Sequence, residues 1–295
     1  MRWSGHTTWY RVIGDRHDAG APAVVCHGGP GLTHDYLAPV ADLARSGRAC
    51  VLYDQFGNGR SGHWPGAPAG FWTIDLFLRE LEALVATLDI ADGFHLVGHS
   101  WGGMLALEYA LRHPVGLRSI VLADTFASSA VYSTEVARLL RQLPEDVRAA
   151  IVRNEAAGTV DTPEYRNAAQ MFYRRHVCRR QPVPDELRRT LTALGQDPTV
   201  YQTMCGPSEF SLTGSLADWD ITDMLGSIEV PALIVSGRYD EVTPAAVEPL
   251  VRGLPNARWE LFEESSHMPH IEEPERFIDS VGRFLRRVEG ATPRG

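Results

Sequence analysis

Short apolar runs recur along the first 125 residues, each stopped by glycine or an acid and followed by a stretch with helical spacing. Ala23-Val24-Val25-Cys26 is apolar at every position, as strands buried on both faces of a parallel sheet are, and it runs into His27-Gly28-Gly29-Pro30-Gly31. A helix is predicted over residues 36–46, then a strand over 49–54 that closes with Asp54. Leu76, Phe77, Leu81, Leu84, Val85 and Leu88 fall on one face of a predicted helix over 74–88. The run Phe94-His95-Leu96-Val97 and another over 117–123 are predicted strands, with a helix between them that His113-Pro114 closes. Residues 1–20 alternate loosely and read as a short hairpin ending near Asp15-Arg16-His17-Asp18. Alternating strand and helix predict an α/β fold, a mostly parallel sheet with helices on both faces.

The rhythm stops after Asp124. Residues 126–214 carry no strand pattern, only short arginine-containing helical runs broken by Pro144, Pro163, Pro182, Pro184, Pro198 and Pro207. Alternation resumes with a strand over 230–236, a helix near 245–252, a strand over 258–262 and a last helix over 274–288; from Gly290 the chain reads as a loose tail. The pattern predicts a core of residues 1–125 and 215–295, interrupted after its sixth strand by a helical cap of residues 126–214. Insertions of this kind commonly form lids over active sites.

Gly98-His99-Ser100-Trp101-Gly102 joins the third long apolar run to the helix after it. Strand, tight Gly-x-Ser-x-Gly turn and helix in that order make a nucleophile elbow, which holds the Ser100 hydroxyl out at the top of a sheet. A serine there needs a base. His99 should point away across the turn, so His267, in the loop after the last strand, is the expected base, with His270 as its rival. A metal held by His267 and His270 is not expected, since no third ligand lies nearby in sequence. The base needs an acid to fix its tautomer: Asp240, just after a strand, is the choice, and Asp124 the alternative. Ser100, Asp240, His267 is also the chain order of the α/β-hydrolase triad. For the oxyanion, the Trp101 N–H supplies one donor, and the His27–Gly31 loop, through Gly29, can supply the second. Gly57-Asn58-Gly59-Arg60-Ser61-Gly62 matches a dinucleotide fingerprint, but His63-Trp64-Pro65-Gly66 after it cannot open the helix that would hold a pyrophosphate. It reads as a structural loop.

Composition narrows the chemistry further. A net charge of −9 over 295 residues argues against a nucleic-acid backbone as partner. All 28 basic residues are arginine, so Schiff-base chemistry, a serine–lysine dyad and a Walker loop lack their amine. No apolar run is long enough to span a membrane and no signal peptide is visible. Cys26, Cys50, Cys178 and Cys205 show no framework spacing, and a reducing cytoplasm is the expected location.

Taken jointly, His27-Gly28-Gly29-Pro30-Gly31, Asp54-Gln55-Phe56-Gly57-Asn58-Gly59-Arg60-Ser61, Gly98-His99-Ser100-Trp101-Gly102-Gly103 and Gly237-Arg238-Tyr239-Asp240-Glu241 resemble the proline iminopeptidase family of α/β-hydrolases. Gly206-Pro207-Ser208-Glu209-Phe210 and Asp218-Trp219-Asp220-Ile221-Thr222-Asp223 are similar to its tricorn-associated aminopeptidase branch. The resemblance implies a cofactor-free serine hydrolase that releases an N-terminal residue from a small molecule or short peptide. It also implies that Glu209 and Glu241 bind the substrate's free α-ammonium; pairing of these acids with arginines such as Arg238 is the structural alternative. The same chemistry on a biosynthetic metabolite, an esterase or lactonase indifferent to amines, and a non-catalytic binding module are the rival expectations. The aromatics Tyr132, Phe172, Tyr173, Tyr201 and Phe210 are expected mainly as core of the cap, and Arg174-Arg175 and Arg179-Arg180 as solvated faces.

Overall fold

The computed structural model describes residues 1–15 and 18–291. Strands β1 (Arg2–Trp3) and β2 (His6–Thr7) form a separate two-stranded hairpin. The main sheet has seven strands: β3 (Trp9–Ile13), β4 (Gly20–Cys26), β5 (Arg48–Asp54), β6 (Phe94–His99), β7 (Leu117–Ala123), β8 (Ala232–Gly237) and β9 (Ala257–Phe262), in the order β3-β5-β4-β6-β7-β8-β9. Only β3 runs antiparallel, against β5. The predicted hairpin over 1–20 is thus divided, β3 leaving it for the sheet edge, and Arg16 and His17 lie outside the described residues.

Continuous apolar strands make sense because both faces are covered. Val24, Val51, Leu96, Leu122 and Ile234 point to one core with helices α1 (Ile74–Thr87) and α2 (Trp101–Leu111). Their neighbours Val25, Leu52, Val97, Val121 and Val235 point to the other, beneath a 3₁₀ helix (His34–Ser46) and the C-terminal helix. The predicted helix at 36–46 is therefore 3₁₀ in type, with Pro39 inside it, where the missing N–H breaks α-helical bonding. The C-terminal helix runs Pro274–Ala291, through Gly290, where a loose tail was expected; residues 292–295 lie outside the described residues.

Between β7 and β8 come α3 (Ser129–Leu140), α4 (Glu145–Ala157), α5 (Pro163–His176), α6 (Asp185–Gln196) and α7 (Thr199–Met204). They leave after the fifth strand of the main sheet in chain order, or the seventh counting the hairpin, rather than after the sixth. Thr162 caps α5 by accepting from the Tyr165 N–H, with Pro163 in the first turn. α8 (Pro244–Gly253) follows β8, and α9 (Pro269–Glu272) follows β9. The chain passes from β4 outward to β5 and then back to β6 on the other side of β4. Such a reversal opens a crevice outside the carboxyl ends of parallel strands, and the loops after β4, β6, β7, β8 and β9 all emerge there.

Candidate active site

The elbow is built by exclusion. A Cβ on Gly98 would stand 2.2 Å from the Gly102 carbonyl oxygen, and one on Gly102 would stand 2.0 Å from that of Cys26. Only glycine lets the turn pass this close to β4. Ser100 itself sits at φ 54°, ψ −121°, a left-handed conformation that costs a residue with a Cβ about 1–3 kcal/mol. Its N–H donates to the Ala123 carbonyl (2.9 Å), which pins the elbow to β7. Trp101 is buried and its indole N–H donates to Gln55 Oε1 (2.8 Å). Gly28 donates its N–H to Tyr36 Oη (2.8 Å), whereas Gly29 lines the same small cavity as Ser100 and Trp101.

Asp240 follows β8 and His267 follows β9, and they meet: His267 Nδ1 and Asp240 Oδ1 are 2.7 Å apart, both groups buried. Asp240 Oδ1 also accepts from the Val242 N–H (2.9 Å). Burial works to lower the His267 pKa, but the net shift is upward, because the Asp240 carboxylate and, further off, Glu209 favour the imidazolium. His267 and Ser100 line one cavity. No hydrogen bond joins them among the described residues; His267 Nε2 instead lies 3.9 Å from Glu241 Oε1.

The rivals fall elsewhere. His270 is buried with neither ring nitrogen bonded among the described residues, packs on Tyr36 and His99, and has its pKa pushed down to about 3 by burial. Asp124 follows β7 at φ 52° and accepts from the Gly237 N–H (3.1 Å). Its carboxyl lies near both Asp240 and His267, and burial, then the Asp240 charge, push its pKa well up.

His99 does more than point away. Its Nδ1 lies 2.7 Å from Tyr36 Oη and its Nε2 lies 2.7 Å from the His267 carbonyl. Burial pushes its pKa well below the usual imidazole value, favouring the neutral ring. The consistent tautomer has Nε2–H donating to His267 O and Tyr36 O–H donating to Nδ1 while Tyr36 accepts from Gly28. One chain of hydrogen bonds therefore ties the loop after β4 to the loop after β9. A second tie comes from α5, whose terminal His176 carbonyl accepts from the N–H groups of Glu241 and His267 (3.2 Å each).

The two glutamates arrive from opposite sides. Glu241, next to Asp240, is buried and its Oε2 has no partner among the described residues. Glu209, after α7, accepts from Tyr201 O–H (2.8 Å), and its backbone carbonyl accepts from Tyr132 (2.8 Å). Burial raises both pKa values, and Glu209 and Asp240 push Glu241 further. Arg238 is engaged with Glu263 (2.7 and 2.8 Å), and among the described residues no arginine pairs with Glu209 or Glu241. Tyr132, Tyr173 and Tyr201 line the cavities, whereas Phe172 is core.

Residues 22–274 match the α/β hydrolase fold model. The proline iminopeptidase of Saccharolobus solfataricus is 38% identical over 279 residues, 95% of this chain and 88% of that one. The crystal structure of a proline iminopeptidase from Mycobacterium smegmatis superposes with a TM-score of 0.91 at 42% identity, covering 98% of both chains. The chain belongs to the proline iminopeptidase family of α/β hydrolases. The crystal structure of VinJ is also similar, with a TM-score of 0.96 and 46% identity over 98% of this chain and 97% of that one. In this family member the fingerprint-like loop after β5 is structural: Arg60 N–H donates to Asp54 Oδ2 (2.9 Å) and Gly57 N–H to the Gly62 carbonyl (2.8 Å). Arg174, Arg175, Arg179 and Arg180 are exposed, as expected of solvated faces, and Arg179 also lies 3.8 Å over the Tyr239 ring and donates to the Glu264 carbonyl. Among the described residues no helix is long and apolar enough to cross a membrane.

Proposed function

We propose that this chain is a serine aminopeptidase or aminoacyl amidase working through an acyl-enzyme. Ser100 Oγ attacks the carbonyl of the N-terminal residue while His267 takes its proton, and the N–H groups of Gly29 and Trp101 receive the oxyanion. The C–N bond then breaks, His267 returns the proton to the departing nitrogen, and water, activated by the same imidazole, releases the amino acid and restores Ser100. Asp240 holds Nδ1 protonated. The Ser100–His267 hydrogen bond forms once substrate fills the cavity, as catalytic hydrogen bonds commonly tighten in the Michaelis complex. Helices α3–α7, within residues 126–214, serve as the cap over a core of 1–125 and 215–295.

One observation carries the preference for a free amine. Glu241 is a fully buried carboxylate, beside the nucleophile, with an oxygen that no donor satisfies among the described residues. Such an acid is costly unless a cation completes it. An α-ammonium held between Glu241 and Glu209 does so and sets the adjacent carbonyl over Ser100. A blocked N-terminus brings no charge and leaves both acids unpaired. Four free, buried thiols suit a cytoplasmic enzyme.

The test compares an aminoacyl p-nitroanilide with its N-acetyl counterpart and labels the protein with a serine-directed phosphonate. Rapid cleavage of the free amine, slow cleavage of the blocked one, and labelling lost in Ser100→Ala are expected. Equal rates on the two substrates would remove the glutamates from recognition; absence of labelling would remove Ser100.

A further inference from the structure

The two proposed oxyanion donors come from separate parts of the chain. The Gly29 N–H belongs to the loop after β4 and the Trp101 N–H opens α2, and among the described residues neither has an acceptor. How well such a pair receives charge depends on its spacing and aim.

One side chain bridges the two segments. Gln55, buried in the loop after β5, donates from Nε2 to the His27 carbonyl (3.0 Å) and accepts at Oε1 from the Trp101 indole N–H (2.8 Å). Neither end can be exchanged. An indole N–H only donates and a carbonyl only accepts, so the bridge needs an acceptor at one end and a donor at the other, which a primary amide supplies. The Gln55 backbone N–H makes a third link, to His27 Nε2 (2.9 Å). A ring nitrogen that accepts carries no hydrogen, so the His27 hydrogen sits on Nδ1, which donates to the Gly28 carbonyl (3.0 Å). Burial favours this neutral ring, lowering its pKa to about 4. The Gly28 carbonyl and the Gly29 N–H lie on opposite sides of one planar trans peptide, so fixing the carbonyl aims the N–H. This loop lies against the nucleophile, since a Cβ on Gly28 would stand 3.1 Å from that of Ser100. Gln55 is itself anchored, because the next residue, Phe56, gives its N–H to both oxygens of Glu80 (2.9 and 3.0 Å).

We infer that Gln55 is a positioning residue of the oxyanion hole: its side-chain amide sets the distance between the Gly29 and Trp101 donors, and its backbone N–H fixes, through His27, the direction of the first. The inference rests on the hydrolase mechanism above. Gln55 does not line the cavity at Ser100, so it acts through these segments and not on the substrate. Its bridge should therefore count in the transition state and leave ground-state binding alone.

The experiment measures prolyl-p-nitroanilide cleavage by Gln55→Met, which keeps the length and removes both polar ends. It also measures affinity for two ligands that share the free amine. Pyrrolidine-2-boronic acid forms an adduct with Ser100 that places an oxygen in the oxyanion hole; prolinol forms none. In Gln55→Met, kcat should fall roughly ten- to hundred-fold with KM within about two-fold, boronate affinity falling in step and prolinol affinity holding. Trp101→Phe keeps the backbone donor and Gln55 but removes the indole N–H, and should cost about ten-fold in kcat. The double variant should lose no more than Gln55→Met, because the same bridge is already broken. Wild-type kcat in either variant once circular dichroism shows it folded, equal weakening of boronate and prolinol, or losses that multiply in the double variant would overturn the inference while leaving the hydrolase mechanism standing. A wild-type protein that cleaves no free-amine anilide would overturn both.

Discussion

Replacing Glu241 by glutamine separates recognition from chemistry. The substitution keeps shape and removes charge at a position where the carboxylate is buried, one oxygen is unsatisfied, and Asp240 and Glu209 already disfavour ionisation. A hydrogen bond to a charged partner is worth about 1.5–3 kcal/mol, so losing it should lower kcat/KM for a free aminoacyl anilide by roughly 10- to 150-fold. The loss should fall mainly on KM, since the ammonium is held alike in the ground and transition states. Stability should hold or rise, because a desolvated charge is removed. N-acetylated substrate should be cleaved no more slowly than by wild type, and phosphonate labelling of Ser100 should persist. Glu209→Gln should weaken free-amine binding similarly and change the pH profile as well. Glu209 helps to hold the His267 pKa above 6.5, and the base works only when neutral, so the acid limb of kcat/KM should move to lower pH in this variant. Stopped assays from pH 5 to 9 on both anilides, with thermal melts, measure all of this. Wild-type kcat/KM for the free amine in both variants would refute the anchoring role.

Asp240→Asn should lower turnover by about four orders of magnitude through the wrong imidazole tautomer, and His267→Ala by at least as much, while His270→Leu keeps most activity; a comparable collapse in His270→Leu would reverse the assignment of the base. Asp124→Asn should retain turnover near neutral pH, because Asp240, not Asp124, is hydrogen-bonded to His267 Nδ1; a loss as large as that of Asp240→Asn would make Asp124 the orienting acid. Glu80, buried and accepting from the Phe56 N–H, has its pKa raised by burial from 4.5 to about 8. The folded state thus binds its proton more tightly than the unfolded one, and stability falls between those values as pH rises, by about 1.4 kcal/mol per unit. Glu80→Gln should flatten that slope in urea unfolding at pH 5 and 8, and parallel curves for the two proteins would refute it.

The positions readable from sequence were those with a local physical signature. Gly98 and Gly102 are legible because a turn that presses against β4 leaves no room for a Cβ, and residues 94–97 because Phe94, Leu96 and Val97 are apolar as a strand buried on both faces requires, His95 being accommodated by its Nδ1 contact with Ser119 Oγ (2.7 Å). Asp240 and His267 each follow a strand, and parallel strands deliver their ends to one edge. The Tyr36–His99–His267 chain was not legible, since its members lie 63 and 168 residues apart and no spacing rule connects a 3₁₀ helix to two loops. His99 did carry a clue: a histidine beside the nucleophile, pointing away from it, has to bond to something. The role of the His176 carbonyl had no signal at all, being a backbone atom that any residue could supply. Arg179 was readable as solvated, but not its stacking on Tyr239, because charge says nothing about which ring a guanidinium will cover.

Electrostatics binds these parts together. Asp124, Asp240, Glu209 and Glu241 gather about one imidazole, and the shifts of the last two and of Asp124 are all upward, burial being the largest cause in each, with neighbouring acids adding to it for Asp124 and Glu241. A structural ion-pair network would have placed arginine here, and the chain has 28 of them, yet Arg238, nearest in sequence, turns outward to Glu263. On the proposed function, what completes these acids is supplied by the substrate, as a cation small enough to reach Ser100. On that proposal an α-ammonium would meet both conditions, and its arrival would also lower the proton affinity of His267 by opposing the glutamates' charge, readying the base as the carbonyl reaches the nucleophile. Binding and activation would then be one electrostatic event, with the free amine part of the catalyst rather than a mere handle.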